Sequence, residues 1–451
     1  MSSNLQKFMK VKELIKQHEQ WFSSCLPLVA SENLTSYEVR KAISSDFIHR
    51  YAEGPPGARI YAGCRFMDEV EEIAVETAKN LFHSEFADVR PISGLIANLS
   101  VYIALTSPGD TILSLPVLYG GHISSAGKDE NGSAWMVHGL RTEGFVFDIE
   151  SLNIDPDKSK KKINKLVKEG RKPKIVTFGA TLFLFPHPVK EMADAIHAVD
   201  SIILYDAAHV AGLMAGGRFQ DPMREGADLM TFSTHKTLFG PQGGAIVGKE
   251  QYREYISRGV FPGLTSNHHP NLVAGKALAF SELAEFGNDY AASVTENAKA
   301  LATRLSELGE KVLGEAHGFT ESHQLALDVS RYGGGVATEK LLESYNILCN
   351  RQSIPGANDK VPQAVRLGTA ELTRTGMNKS DMIEVAEIIH LALRKGDRSK
   401  IISRISELRK AHSEIVYSFA SSPSFTYSDT DILPSLNSRS KFRERSNDPV
   451  V

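Results

Sequence analysis

SIILYDAAHVAGLMAGGRFQDPMREGADLMTFSTHKTLFGPQGGAIVG, residues 201–248, holds three short and nearly all-apolar runs: Ser201–Asp206, Asp228–Ser233 and Gly244–Gly248. Two more stand upstream, Thr111–Leu115 (TILSL) and Lys174–Phe178 (KIVTF). Helix-patterned segments separate most of them. Val70, Ile73, Ala74, Ala78 and Leu81 recur at helical spacing before the first. Short apolar strands alternating with helices predict an α/β fold with a mostly parallel sheet covered on both faces.

Past Gly275 the pattern changes. A helix-rich stretch covers Asp289–Gly309, Leu325–Val329 (LALDV) reads as a strand, and Val365–Leu367 leads into TAELTRTG. A helix follows over Lys379–Arg394. The expected organisation is an N-terminal helical arm (1–40), a large domain (41–275) and a smaller α+β domain (276–420). The tail 421–451 is rich in Ser, Pro and Asp, has little periodicity, and is expected to be disordered.

The length of 451 residues predicts two or three domains, and 42% apolar with 23% charged residues is ordinary for a globular protein. A net charge of -3 gives no electrostatic reason to bind nucleic acid. The basic run KSKKKINKLVKEGRKPK (158–174) lacks aromatic interleaving and reads as a solvated helix face. Three cysteines (Cys25, Cys64, Cys349) form no disulfide framework and lack zinc-site spacing, which points to a reducing compartment and no metal. No stretch of 18 apolar residues exists, so no transmembrane helix is expected. The N-terminus is amphipathic without an apolar signal core, so the expected location is the cytoplasm.

Six segments could carry chemistry. In FSTHKTLFGPQGG (232–244), Lys236 follows a strand between a histidine and a glycine-rich turn, where a lysine could form a Schiff base with an aldehyde cofactor. Alone it could as well be a surface lysine. Asp206 ends the run IILYD, where open α/β sheets bind ligands, and His209 lies three residues on. A carboxylate there suits a pyridine nitrogen, and suits a helix N-cap equally. Ser93 and Gly94 in PISGLIAN precede a helix pattern, a phosphate site or simply a cap. His122 in YGGH could stack on a ring or lie exposed in a turn. Arg366 in AVRLGT could clamp a carboxylate or make an internal ion pair. The loop HRYAEGPPGARIYAG (49–63) carries Tyr51, Glu53 and Tyr61, and is either a site loop or a structural Ω-loop.

In order and spacing these segments resemble the serine hydroxymethyltransferase family from about residue 20 to residue 420. LVASENL (28–34), RYAEGPPG, YAGC, SGLIAN, GGH, DAAHVAGL, STHKTLFGP and VRLGT carry the resemblance. FPHPV (185–189), FQDPMREGAD (219–228), GPQGG, FPGLTSNHH (261–269) and FTESHQ (319–324) resemble its archaeal branch. That branch includes enzymes using tetrahydromethanopterin-type carriers.

The resemblance implies a fold-type I pyridoxal-phosphate enzyme with a seven-stranded sheet, in a homodimer or larger assembly whose active sites are shared between subunits. It implies Lys236 as the Schiff-base lysine, Asp206 as the pyridinium partner, His122 stacked on the ring and His209 by its phenolic oxygen. Ser93, Gly94 and His235 would serve the phosphate, joined by Tyr51 and Gly263 of a neighbouring subunit. Ser31 and Arg366 would hold the substrate carboxylate. The neighbour's Glu53 would handle protons, and Tyr61 would assist exchange at Lys236. Val117, Gly121, His122, Ile123, Ile60 and Gln352 would contact the pterin. The implied reaction converts L-serine and a reduced pterin, of tetrahydrofolate or tetrahydromethanopterin type, into glycine and the methylene-pterin. Rival readings are a pterin-independent aldolase or transaldolase for threonine-like β-hydroxy amino acids, and a non-enzymatic binding homologue. The chain departs from the common bacterial pattern at Leu95, Gln242, Ile60 and Gln352; the last two bear on the carrier, not the cofactor.

Overall fold

The computed structural model describes residues 3–127, 133–357 and 361–424. Its centre is a seven-stranded sheet of β1 (Phe86–Asp88), β2 (Thr111–Ser114), β3 (Arg141–Gly144), β4 (Pro173–Phe178), β5 (Ile202–Asp206), β6 (Leu229–Ser233) and β7 (Gly244–Gly248). The order across the sheet is β1-β7-β6-β5-β4-β2-β3. Only β7 runs antiparallel to its neighbours.

Adjacent residues of each inner strand feed opposite faces. Leu113, Val176, Ile203, Met230 and Val247 join one core. Ile112, Ile175, Leu204, Leu229 and Ile246 join the other. Both faces are therefore apolar, so the strands show no alternation. The first face is covered by α2 (Arg65–Leu81) and by the first half of α4 (Pro270–Glu307). The second is covered by α3 (Gly94–Leu105). The polar edge strand β3, RTEG, carries no apolar signal and was not expected.

A second core forms on an antiparallel sheet of β8 (Lys311–Val312), β9 (Gln324–Asp328), β10 (Asn350–Gln352) and β11 (Ala364–Gly368), ordered β8-β9-β11-β10. Helix α5 (Lys379–Leu393) packs there, and so does the end of α4 through Ala300, Leu301 and Leu305. The helix expected over Asp289–Gly309 thus begins at Pro270, and residue 275 lies inside it. Its glycines mark close packing rather than a break: a Cβ at Gly275 would sit 3.0 Å from Pro241 and 3.2 Å from Ile43.

The arm holds α1 (Ser3–Ser23), which buries none of its residues and leaves Phe8, Val11, Leu14 and Ile15 exposed. Leu26–Pro27 then pairs parallel with Ile347–Leu348. At the other end the expected tail needs correction. Ser422–Pro423 pairs with Glu414–Ile415, and Arg40 donates to the Pro423 and Ser424 carbonyls at 3.2 and 3.1 Å. Backbone pairing orders these residues where side-chain periodicity gave no sign. The rest of the tail, 425–451, lies outside the described residues.

Residues 158–168 lie on a helix (Pro156–Lys168) that buries Ile163 and Leu166 and pairs lysines with Asp155, Asp157 and Glu143. Among the described residues no helix is long and apolar enough to cross a membrane, and no His/Cys/Asp/Glu group could hold a metal. The three cysteines are buried free thiols.

The largest fully buried side chain is Arg374. It donates to Glu282 at 2.8 Å and lies 3.8 Å over the Phe239 ring, in the loop that carries Lys236. Removing it strands a buried carboxylate, a loss of about 3–5 kcal/mol. Arg374→Met should lower the thermal midpoint sharply, and adding Glu282→Leu should restore part of the loss. Calorimetry on the two variants checks this.

Candidate active site

The site gathers at the carboxyl ends of β2, β4, β5 and β6, where open sheets of this kind place ligands. Lys236 lies on the loop between β6 and β7. Thr234 pins that loop by donating to the Pro241 carbonyl at 2.6 Å. Asn33 donates to the Lys236 carbonyl at 2.8 Å, and Phe239, in a left-handed conformation, donates its N–H to the same oxygen at 3.1 Å. Burial pushes the Lys236 amine down to about 8, against an opposing pull from Asp206 and a further push from Arg366. Lys236 is therefore no surface lysine.

Asp206 is fixed at both oxygens. One accepts the Ala208 N–H at 3.0 Å, the local turn bond expected of a strand-end Asp. The other accepts Asn98 Nδ2 at 2.8 Å. Asn98 also donates to Ser124 Oγ at 3.0 Å and accepts from Thr231 at 2.6 Å. Ser124 in turn fixes His122: its N–H donates to Nδ1 at 3.2 Å, and its Oγ lies 2.7 Å away. Nδ1 of His122 is thus the acceptor, leaving the proton on Nε2. Burial, with Lys236 and Arg366 nearby, lowers the His122 pKa against the pull of Asp206. His209 is held well below its usual value, first by burial and then by Lys236 and Arg366. Burial brings His235 to about 4.

Arg366 is 4% exposed, and burial lowers it to about 10. It donates to Asn350 at 3.1 Å and to the Thr181 carbonyl at 2.5 Å. Among the described residues it has no acidic partner. The internal ion pair that the sequence left open is absent.

Ser93 caps α3, accepting the Ile96 N–H at 3.1 Å. The N–H groups of Gly94 and Leu95 in the first turn have no intrahelical acceptor, as at any helix start. A Cβ at Gly94 would lie 2.5 Å from Ser233 Oγ and 3.5 Å from the Ser233 backbone nitrogen, so the end of β6 passes close to this turn. Behind this turn the buried Lys276 donates to the carbonyls of Val89, Pro91 and Gly244 at 2.6, 3.1 and 2.9 Å.

Gly121 is required by close approach, since a Cβ would fall 1.7 Å from the Leu115 carbonyl oxygen. It leads from Val117 to His122 and the exposed Ile123. Ser31 is half-buried in the segment before Asn33, and Gln352 is half-buried on β10.

Among the described residues, Tyr51, Glu53, Ile60, Tyr61 and Gly263 make no hydrogen bond or ring contact with this cluster. Tyr51, Ile60 and Tyr61 are exposed at 52%, 67% and 45%. Tyr51 and Tyr61 meet each other at 5.1 Å, and Glu53 accepts from Ser266 at 2.5 Å. Gly263 is exposed. Sequence reading missed Asn98, Ser124, Thr231, Gln324 and Asn350. All act on other side chains, and only Asn98, Thr231 and Gln324 stand out as polar residues within otherwise apolar elements.

These residues fit pyridoxal phosphate bound to an amino-acid enzyme. A half-buried amine lies within electrostatic reach of one fixed carboxylate, Arg366 has no acidic partner among the described residues, and a helix start offers free N–H groups. The comparisons agree. Residues 5–389 match the serine hydroxymethyltransferase family model. The chain is 51% identical over 424 residues to the serine hydroxymethyltransferase of Nitrosopumilus maritimus, covering 93% of this chain and 96% of that protein. It is 49% identical over 431 residues to that of Korarchaeum cryptofilum, covering 93% and 98%. It is 46% identical over 430 residues to that of Methanothermobacter marburgensis, covering 95% and 99%. The chain belongs to the serine hydroxymethyltransferase family, whose fold is the fold-type I pyridoxal-phosphate architecture and whose members are pyridoxal-phosphate-dependent transferases.

The depressed amine makes a testable pH dependence. Neutral amine is the nucleophile, so Lys236 should react with an aldehyde half-maximally near pH 8, well below an ordinary lysine. Below that midpoint the rate should fall about tenfold per pH unit. Reductive trapping of a small aldehyde on cofactor-free protein, read by peptide mass, measures the midpoint.

Proposed function

We infer that this protein is a glycine hydroxymethyltransferase that moves the hydroxymethyl group of L-serine reversibly to a reduced pterin, giving glycine and the methylene-pterin. The observation that carries the reading is Arg366, a buried guanidinium with no acid of its own, beside the Lys236 amine and the Asp206 carboxylate. When bound, pyridoxal phosphate supplies an aldehyde and a protonated ring that withdraws electrons from a breaking bond at Cα.

The chain's own residues divide the remaining work. Lys236 offers a nucleophilic amine close to neutral pH. Asp206, held by Asn98 and Ala208, is the carboxyl group that would meet the pyridine nitrogen. The first turn of α3, with Ser93, Gly94 and His235 about it, receives the phosphate. Arg366, with Ser31, takes the substrate carboxylate, which orients the scissile Cα–Cβ bond. His122 would stack on the ring, and His209 would meet its phenolic oxygen.

Glu53 exchanges the proton of the serine hydroxyl, and Tyr61 assists at Lys236. We assign these two, with Tyr51, Gly263 and Ile60, to a second copy of the chain. The exposure of Tyr51, Ile60, Tyr61 and Gly263 supports that, as do the exposed apolar residues of α1. The pterin is assigned to Val117, Gly121, His122, Ile123, Ile60 and Gln352. The three buried free thiols suit a cytoplasmic enzyme.

Arg366→Ala removes the carboxylate clamp without stranding an internal acid. Glycine and serine binding should weaken by about 2–5 kcal/mol while bound cofactor stays nearly intact. Calorimetric titration of glycine, with cofactor content read by absorbance, checks both, and unchanged glycine affinity would place the carboxylate elsewhere.

Ile60 offers no phenol or aromatic ring to the carrier, and Gln352 is one methylene longer than an Asn. Both changes favour a modified archaeal pterin over tetrahydrofolate. The ratio of kcat/KM for serine cleavage with a tetrahydromethanopterin-type carrier and with tetrahydrofolate should favour the former. A protein that cleaves threonine-like amino acids but never serine, whatever pterin is added, would overturn the assignment as a whole.

A further inference from the structure

We propose that Gln324 is a positioning residue that holds His209 as the tautomer with its proton on Nε2, so that the ring presents a fixed N–H donor to the bound cofactor. The inference rests on the pyridoxal-phosphate reading above and deepens it.

Gln324 opens β9 on the second sheet, fully buried, and reaches under the loop that follows β4. Its amide can face only one way. The Phe183 backbone N–H donates to Oε1 at 2.9 Å, and a backbone N–H cannot accept. Nε2 therefore points to the other side, with two hydrogens to place. One goes to the Thr181 carbonyl at 3.2 Å.

Two acceptors compete for the second hydrogen. Nε2 of His323 lies 3.4 Å away and Nδ1 of His209 lies 2.9 Å away. His323 is excluded, because its Nε2 is 3.0 Å from the Ala30 carbonyl, a bond that needs the proton on that nitrogen. The hydrogen belongs to His209 Nδ1, which must then carry a lone pair. The two rings lie nearly parallel, 5.8 Å apart, so His209 is held from its face as well.

With Nδ1 occupied as an acceptor, a neutral His209 carries its proton on Nε2. A charged ring is disfavoured: burial and the groups facing it, Lys236, Arg366, His323 and His122, all push its pKa down. Among the described residues Nε2 has no protein partner, which leaves this N–H for a ligand. The opposite tautomer would turn a lone pair toward the cofactor's anionic oxygen. The Thr181 carbonyl that receives Gln324 also receives Arg366, so one side chain braces both the ring's donor and the carboxylate clamp.

Nitrogen-15 imidazole spectra of the full-length chain, with and without pyridoxal phosphate, test this. His209 is assigned by the signal lost in His209→Asn. The expected wild-type pattern is a protonated Nε2 and a bare Nδ1 throughout neutral pH. Gln324→Met keeps the length and removes the donor. It should shift His209 toward the Nδ1–H form or toward protonation, and weaken cofactor binding about tenfold in an absorbance titration. A merely structural role would lower the melting temperature and leave the tautomer alone. A wild-type Nδ1–H signal, or an unchanged pattern in Gln324→Met, overturns the proposal. If that variant does not fold, the wild-type spectrum decides by itself. Failure of the wild-type chain to bind pyridoxal phosphate would instead sink the functional reading, and the two failures are read separately.

Discussion

The site depends on burying two cations around one carboxylate. Lys236 and Arg366 share a pocket whose opposing charge, among the described residues, is Asp206. Burying unpaired charge is costly, and both groups respond by losing affinity for their protons. The surrounding histidines stay neutral for the same reason. The start of α3 adds partial positive charge of its own. Such a pocket is short of negative charge by construction. A phosphate and an α-carboxylate are the groups that would supply it, and much of their binding energy comes from relieving an imbalance already built into the folded chain.

An imbalance of that kind persists only in a stiff frame. Three internal struts provide it. Lys276 spends its ammonium on three carbonyls behind the phosphate turn. Arg374 ties the Lys236 loop to Glu282 on α4 and to the Val416 carbonyl. Asn98 joins Asp206, Ser124 and Thr231, and so couples the ends of β5 and β6 to the loop of His122. Each strut satisfies a buried polar group by geometry that a smaller or apolar side chain could not reproduce. The same rigidity explains why bare backbone recurs at Gly94 and Gly121, where other chain segments press against the site.

The parts legible in the sequence were those written as local pattern. Five strands of the main sheet appear within a residue of their expected ends, because a continuous apolar run this short, set between helices, fits little besides a strand buried on both faces. Lys236, Asp206, His122, His209 and Arg366 stood out as motif residues, and the fold brings all five into one electrostatic neighbourhood. What escaped was polar or non-local. β3 is a polar edge strand. The front of α4 was hidden by glycines that serve packing between helices. Ser422–Pro423 is ordered by a backbone pair that no periodicity announces. Asn98 and Gln324 sat in view inside SGLIAN and FTESHQ. Their meaning depends on partners more than 100 residues away, at Asp206 and His209, and spacing along a chain carries no such information.

The loop of residues 49–63 divides sharply into a locked interior and an exposed exterior. Its interior is a closed ionic network. Arg59 reaches Asp68 and Glu71 at 2.7 Å each and also donates to the Ala52 carbonyl, while His268 meets Glu71 at 3.0 Å. These groups are largely buried, so the loop keeps its shape without help from the Lys236 pocket. Its exterior is the opposite: Tyr51, Ile60 and Tyr61 stand out into solvent on that rigid base. A loop meant to fold over its own site would bury those side chains and leave its hinge free. A loop that locks its interior and exposes its aromatic residues fits the proposal that they serve a neighbour. The exposed apolar face of α1 extends the same logic to the arm. On the proposed assignment to a second copy, this wall would arrive at the other chain's pocket already formed.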